Sequence, residues 1–331
     1  MTTEAGEARA FHSDPLPEET APDSVAASRS YCGAPLCTNL DELDAQVAFL
    51  GVPSDLGATI PGGRYGPDGI RDARGVYTYE SPFTGETAAG YFDVDAGRNR
   101  LEGVTIADCG DVSIIPGNVE RNFWRVTRTV RRIVSRGSLL LAIGGDHAVT
   151  GAVARGFDAY ETVDIVHFDA HLDFHEHNQG ILWACGSPIR RCSEYPWVRN
   201  ITQVGIRNVP GQKQYNDSVA RGNRIITAGQ FRQMGPEETM ALVPESDAMY
   251  VTIDIDVMDP SLCPGTQAPE PGGFTYFEMR SALRALARRG RIVGIDLVEL
   301  VPRLDPTGVT AKVMSRLLID LLSAVFDGKE K

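Results

Sequence analysis

The apolar residues of this chain fall into short unbroken runs, separated by longer stretches in which they recur every three or four positions. The clearest runs are Val47 to Gly51, Leu139 to Ile143, Val163 to Phe168, Ile201 to Ile206, Met249 to Ile255 and Ile292 to Val298, and each predicts a strand. Between or after them, Glu120 to Arg136, Glu237 to Val243, Phe277 to Arg289 and Ala311 to Val325 carry the helical period. Gly137 and Gly290 stand where helices commonly stop. Alternating strands and helices predict an α/β fold built on a mainly parallel sheet. Residues 1 to about 30, rich in Ala, Ser, Thr, Pro and Glu and poor in large apolar side chains, bury too little surface to offset ordering entropy; a mobile tail is expected there, followed by a single domain over 31–331.

Composition narrows the function classes. With 44 acidic against 32 basic residues the net charge is −12, which argues against a general nucleic-acid binder, since phosphate neutralisation needs clustered Lys and Arg. Cys32, Cys37, Cys109, Cys185, Cys192 and Cys263 are too scattered for a disulfide scaffold or a zinc motif, so reduced thiols are expected. There is no basic start followed by an apolar stretch and no apolar run of membrane-spanning length; a cytoplasmic protein without a membrane partner is expected. The glycine-rich segment Pro61 to Pro67 lacks both dinucleotide spacing and a Walker lysine, which excludes a nucleotide loop of those types.

The chemistry is concentrated behind three of the most apolar runs. Gly144-Gly145-Asp146-His147 follows the first, Asp169-Ala170-His171-Leu172-Asp173 the second, and Asp254-Ile255-Asp256 ends the third, continuing to Asp259-Pro260. In open α/β sheets, sites form at such strand ends. On an extended backbone, side chains two apart share a face, so Asp169, His171 and Asp173 can meet, as can Asp254 and Asp256. With His147 these make six candidate metal ligands, too oxygen-rich for one tetrahedral zinc and suited to a pair of harder divalent ions such as manganese. Five of the six histidines lie between residues 147 and 177. Structural readings compete for some neighbours: His167 as a hydrogen-bonded core residue, Asp146 as an orienting or capping group, Asp259 as a turn residue. Four carboxylates at buried strand ends would repel one another without cations, so a purely structural role does not account for the set.

These three strings closely resemble the metal signatures of the arginase and agmatinase (ureohydrolase) family, and the resemblance extends from about residue 46 to 325. Gly51 to Gly57, Gly62 to Arg71 and Gly265 to Gly273 resemble loops of the agmatinase branch. The resemblance implies a three-layer αβα fold with a mainly parallel sheet of about eight strands, of the arginase/deacetylase type. It implies two manganese ions, with nickel or another divalent metal as the alternative, bridged by Asp169 and Asp254, with His147 and Asp173 on one and His171 and Asp256 on the other. A hydroxide between them would attack a guanidinium carbon and release urea and an amine from an agmatine-like small molecule. Asp173 would help move the proton. Glu299 would orient the guanidinium, and Glu270 is a further candidate substrate contact. Trp183, beside Cys185, either contacts substrate in the pocket or anchors its loop by burial. Relatives form trimers or hexamers, so a homo-oligomer is expected.

The pattern breaks at one position. Agmatinases carry a histidine thought to shuttle protons where this chain has Cys185, in Cys185-Gly186-Ser187-Pro188. A thiol of ordinary pKa near 8.5 could take that role only if neighbouring charge tuned it. His175 or His177, in the loop Phe174 to Asn178, is a replacement candidate, against a reading of both as solvated loop residues. The substitution keeps two alternatives open: a formimidoylglutamase-like or specialised amidine hydrolase, and a catalytically silent metal-binding homologue.

Overall fold

A computed structural model of the chain describes residues 24–27, 29–73, 90–209 and 211–327. Ten strands are described: β1 Val47–Val52, β2 Tyr91–Asp93, β3 Arg98–Arg100, β4 Ile106–Asp111, β5 Leu139–Gly144, β6 Val163–Phe168, β7 Val198–Ile206, β8 Arg224–Thr227, β9 Ser246–Asp254 and β10 Gly290–Val298. The α-helices are α1 Gly66–Asp72, α2 Val119–Ser135, α3 Val149–Arg155, α4 Pro188–Cys192, α5 Gln212–Ala220, α6 Ala228–Met234, α7 Pro236–Ala241, α8 Tyr276–Leu286 and α9 Val309–Asp327. Eight strands form one sheet in the order β4-β1-β5-β10-β9-β6-β7-β8, every pairing parallel. β2 and β3 form a separate antiparallel hairpin.

The strands read as unbroken apolar runs because both faces of the sheet are covered. In β1, Val47 and Phe49 belong to one hydrophobic cluster, with Ile70 of α1, Met279 and Leu283 of α8 and Met314 and Leu318 of α9. Ala48 and Leu50 belong to the opposite cluster, with Phe123 and Val130 of α2 and Val153 of α3. The same alternation divides Leu141 from Leu140 in β5 and Val251 from Tyr250 in β9. This is the three-layer arrangement that the resemblance implies, built on the parallel sheet that the strand and helix pattern predicts. Among the described residues, no helix is long and apolar enough to cross a membrane.

All six runs expected to be strands are strands, with ends shifted by a few residues. Gly137 does lie just past a helix, with φ 82°. Gly290 does not: α8 ends at Leu286, and Gly290 opens β10, where a side chain would collide with the backbone of Ser246. Of the expected tail, residues 1–23 and 28 lie outside the described residues. Val25 pairs in both directions with Asp111 at 2.8 Å, and Ser24 donates to the Cys109 carbonyl at 2.5 Å, so this short segment lies along β4.

The β4 edge is fixed by a buried ion pair. Arg71 of α1 donates through Nε to Asp108 Oδ2 at 2.9 Å and through Nη2 to Asp108 Oδ1 at 3.0 Å, with both side chains fully buried, and through Nη1 to Asp111 at 2.7 Å. Removing one partner strands the other charge in a dry environment. We expect Arg71→Met to lower unfolding free energy by about 3–5 kcal/mol in urea denaturation. Arg131→Met, which breaks a partly exposed pair with Asp158, should cost about 1 kcal/mol or less.

Candidate metal and substrate site

The four central strands β5, β10, β9 and β6 end side by side, and each delivers part of the site. After β5 the chain turns sharply at Gly145, where a side chain would come within 1.5 Å of the Ser54 carbonyl oxygen. That approach lets Asp146 N donate to Ser54 O at 2.8 Å and aims the next residue, His147, inward. After β10, Glu299 adopts φ 66° and turns back over the sheet, donating its backbone N–H to Gly145 O at 2.8 Å.

The metal-type residues meet, though not as extended backbone would bring them together. β6 stops at Phe168, before Asp169, and Asp256 sits in a short 3-10 turn after β9. Each turn is held by its own aspartate: Asp169 Oδ1 accepts from His171 N at 2.6 Å, and Asp254 Oδ1 accepts from Asp256 N at 2.9 Å. Asp256 Oδ1 ties the two loops together by accepting from Ala170 N at 3.0 Å. Asp173 reaches the cluster only because it takes a left-handed conformation, φ 46°. Left-handed backbone at non-glycine residues persists where surrounding structure imposes it, and Asp173 and Glu299 both lie in the site.

His147 Nδ1 lies 3.2 Å from Asp169 Oδ2, 2.8 Å from Asp173 Oδ2 and 3.1 Å from Asp254 Oδ2. It is buried, and none of these close approaches is aligned as a hydrogen bond. His171 Nδ1 lies 2.9 Å from Asp256 Oδ2 and 3.5 Å from Asp169 Oδ1. The two oxygens of Asp169 therefore face different imidazoles. Burial, with Asp256 and Asp169 alongside, pushes Asp254 well above the carboxylate range; burial and Asp169 push Asp256 up to about 7. Burial alone would lower His147, but the carboxylates of Asp169, Asp173 and Asp254 raise it far more. An unbonded ring nitrogen ringed by carboxylate oxygens, within a set of two imidazoles and four crowded carboxylates, fits a pair of divalent cations.

A polar scaffold lies beneath. His167 uses both ring nitrogens, Nε2 with Asp169 Oδ2 at 2.6 Å and Nδ1 with Gln203 at 3.1 Å, so it orients Asp169 from the core. His147 Nε2 meets Thr252 Oγ1 at 3.1 Å; Thr252 meets Thr150 Oγ1 at 3.3 Å; and Thr150 donates to Asp296 Oδ2 at 2.7 Å, where Tyr250 also donates. Asp146 Oδ2 accepts from Gly57 N at 3.0 Å and Oδ1 from Ala148 N at 2.8 Å, making it an orienting group. Asp259 is a turn residue, accepting from Ser261 N and Gly272 N.

Over the cluster lies a cavity of about 360 Å³, lined on its metal side by His171, Asp173, Asp254, Asp256 and Glu299 and elsewhere by Thr59, Ile60, His175, Cys185, Gly186, Gln214, Gln267 and Ala268. Glu299 Oε1 accepts from His147 N at 2.7 Å and Oε2 from Gln267. Burial and the neighbouring Asp146 push its carboxyl up to about 8. Burial, then Glu299, Asp173 and Asp146, push the Cys185 thiol up to about 12, which leaves it a neutral group. His175 lines the mouth, whereas His177 accepts from Gly180 N and is outside the lining. Trp183 does not line the cavity: it is buried, edge-on to Phe123 at 5.1 Å, and anchors its loop from the core. Glu270 is also outside the lining, bonded to Asn208 and 3.8 Å from His171 Nε2. Thr150, Thr252 and Gln214 carry no signal in the sequence, being single polar residues in buried or amphipathic segments.

Comparison with known proteins agrees with this geometry. The model of the arginase family matches residues 45–323. A guanidinobutyrase of Pseudomonas aeruginosa is 33% identical over 292 residues, 86% of each chain, and an agmatinase of Bacillus subtilis is 30% identical over 84% of this chain and 91% of its own. The solved structure of proclavaminate amidino hydrolase from Streptomyces clavuligerus superimposes with a TM-score of 0.79, at 26% identity, over 92% of this chain and 99% of that one. A match over most of its length, together with the fold and the cluster at the strand ends, shows that the chain belongs to the arginase family.

Proposed function

We propose that this protein is an amidinohydrolase that cleaves a linear guanidino compound to urea and an amine, using two divalent metal ions, manganese by preference. The observation that carries this reading is Asp169, whose two oxygens address His147 and His171 separately, as a carboxylate shared between two cations would. Relatives named for guanidinobutyrate and agmatine hydrolysis support the substrate class. His147 and Asp173 would hold one ion, His171 and Asp256 the other, and Asp169 and Asp254 both. Such a pair supplies a nucleophile from water at neutral pH.

The chain's own residues account for the rest. Glu299 is a buried cavity carboxylate held by His147 N and Gln267, and an incoming planar guanidinium gives it the positive partner it lacks. Asp173 touches both the ligand cluster and the cavity, so it can hold a proton between the attacking water and the leaving nitrogen. Cys185 contributes a neutral wall in this reading, and His175 stands at the mouth.

Four outcomes are expected. Manganese-loaded protein should release urea from agmatine or a homologous guanidine, and Asp169→Asn should lower kcat by about 100-fold or more in a urea assay; equal rates from variant and wild type would exclude this site. Glu299→Gln should raise KM for the guanidine by about tenfold or more, since a charge-assisted pair is lost. Asp296→Asn should weaken manganese affinity by about 10- to 100-fold without touching a ligand, because Asp296 sets the Thr150, Thr252 and His147 chain; metal-binding titration checks this.

A further inference from the structure

Gln214 lines the cavity, and its polar end takes no part in the proposed reaction. It stands in the first turn of α5, directly after the loop leaving β7, and only 7% of its surface is exposed. Its Oε1 is buried and has no hydrogen-bond partner among the described residues. An unpaired buried acceptor is costly, and such cost persists where a ligand supplies the missing donor. The terminal torsion of a glutamine is broad and soft, so a donor entering the cavity needs only a turn of the amide to reach that oxygen.

Position separates Gln214 from the reacting end. Glu299 follows β10 and Gln214 follows β7, with β9 and β6 between them. Three inter-strand spacings of about 4.8 Å put those strand ends roughly 14 Å apart. A linear guanidine whose guanidinium lies between Glu299 and the β9 and β6 carboxylates extends its other end along the sheet toward α5. Charge in the cavity points the same way. Among the described residues its lining contains no Lys or Arg. Arg207, on the loop after β7, donates instead to the carbonyls of Gly205, Asp256, Glu270 and Pro271.

We propose that Gln214 is a specificity-determining residue that reads the end of the substrate remote from the guanidinium, accepting a hydrogen bond from a terminal amine and giving no counter-charge to a terminal carboxylate. This rests on the guanidino-hydrolase reading above and selects within it. A substrate ending in an ammonium supplies the donor that Oε1 lacks; one ending in a carboxylate sets anion against acceptor; one ending in a methyl group leaves Oε1 as it is.

The test uses the full-length manganese-loaded protein with three compounds: agmatine, 4-guanidinobutyrate and butylguanidine. Wild type should show kcat/KM for agmatine at least about tenfold above that for 4-guanidinobutyrate. Gln214→Leu should raise KM for agmatine by about tenfold without raising KM for butylguanidine, so that agmatine loses its advantage. Retained butylguanidine hydrolysis shows that the variant is folded, and Gln214→Asn, which keeps the amide, should recover part of the agmatine preference. If wild type prefers 4-guanidinobutyrate, or if Gln214→Leu changes all three substrates by the same factor, the role assigned to Gln214 is overturned while the hydrolase reading stands. If none of the three releases urea from metal-loaded protein, the hydrolase reading itself fails.

Discussion

Four carboxylates are brought together, nearly buried, at one end of the sheet beneath a cavity, and that crowding constrains everything around it. Asp169, Asp254 and Asp256 are almost completely buried, and Asp173 nearly so. Anions at such spacing repel strongly at low dielectric, so the arrangement requires either protons on some of the carboxylates or positive charge among them. Imidazoles at His147 and His171 meet part of that demand; two divalent cations would meet it in full. The rest of the fold holds the set in register against its own repulsion.

It does so with rigid elements and short turns. Four central strands deliver the site residues to one end of the sheet, and both faces of that sheet are sealed by helices. The turns are then fixed by the same aspartates that form the cluster, through hydrogen bonds to backbone N–H groups two residues on. The side chains that carry the chemistry therefore also shape the loops. His167, Gln203, Thr252, Thr150 and Asp296, hydrogen-bonded behind the cluster, lock the orientation of Asp169 and His147. Strained backbone appears at Asp173 and Glu299, two of the four carboxylates that line the cavity.

Much of this was legible in the sequence, for a physical reason. Strands buried on both faces leave unbroken apolar runs, and the polar clusters behind Ile143, Phe168 and Ile253 stand out against them. Less legible were β4, with Asp108, Gly110 and Asp111 breaking its apolar character, the short edge strand β8, and α1, whose Gly and Pro content hides a helix. The expected convergence was correct for a reason that needed correction: Asp169, His171 and Asp173 meet through a capped turn and a left-handed residue, whereas strand alternation was the expected cause. Glu270 illustrates the limit of reading by proximity in sequence, since it lies next to a cavity-forming segment without lining the cavity, whereas for Trp183 the buried anchor is the one of its two readings that the structure shows. Gln214 could not be found at all without coordinates, because a single glutamine on a polar helix looks like any solvated residue.

The central claim is that this cluster holds two cations at once. Elemental analysis of protein equilibrated with manganese and freed of excess metal tests it most directly. The account predicts two manganese ions per chain, whereas one ion or none in folded protein would contradict it.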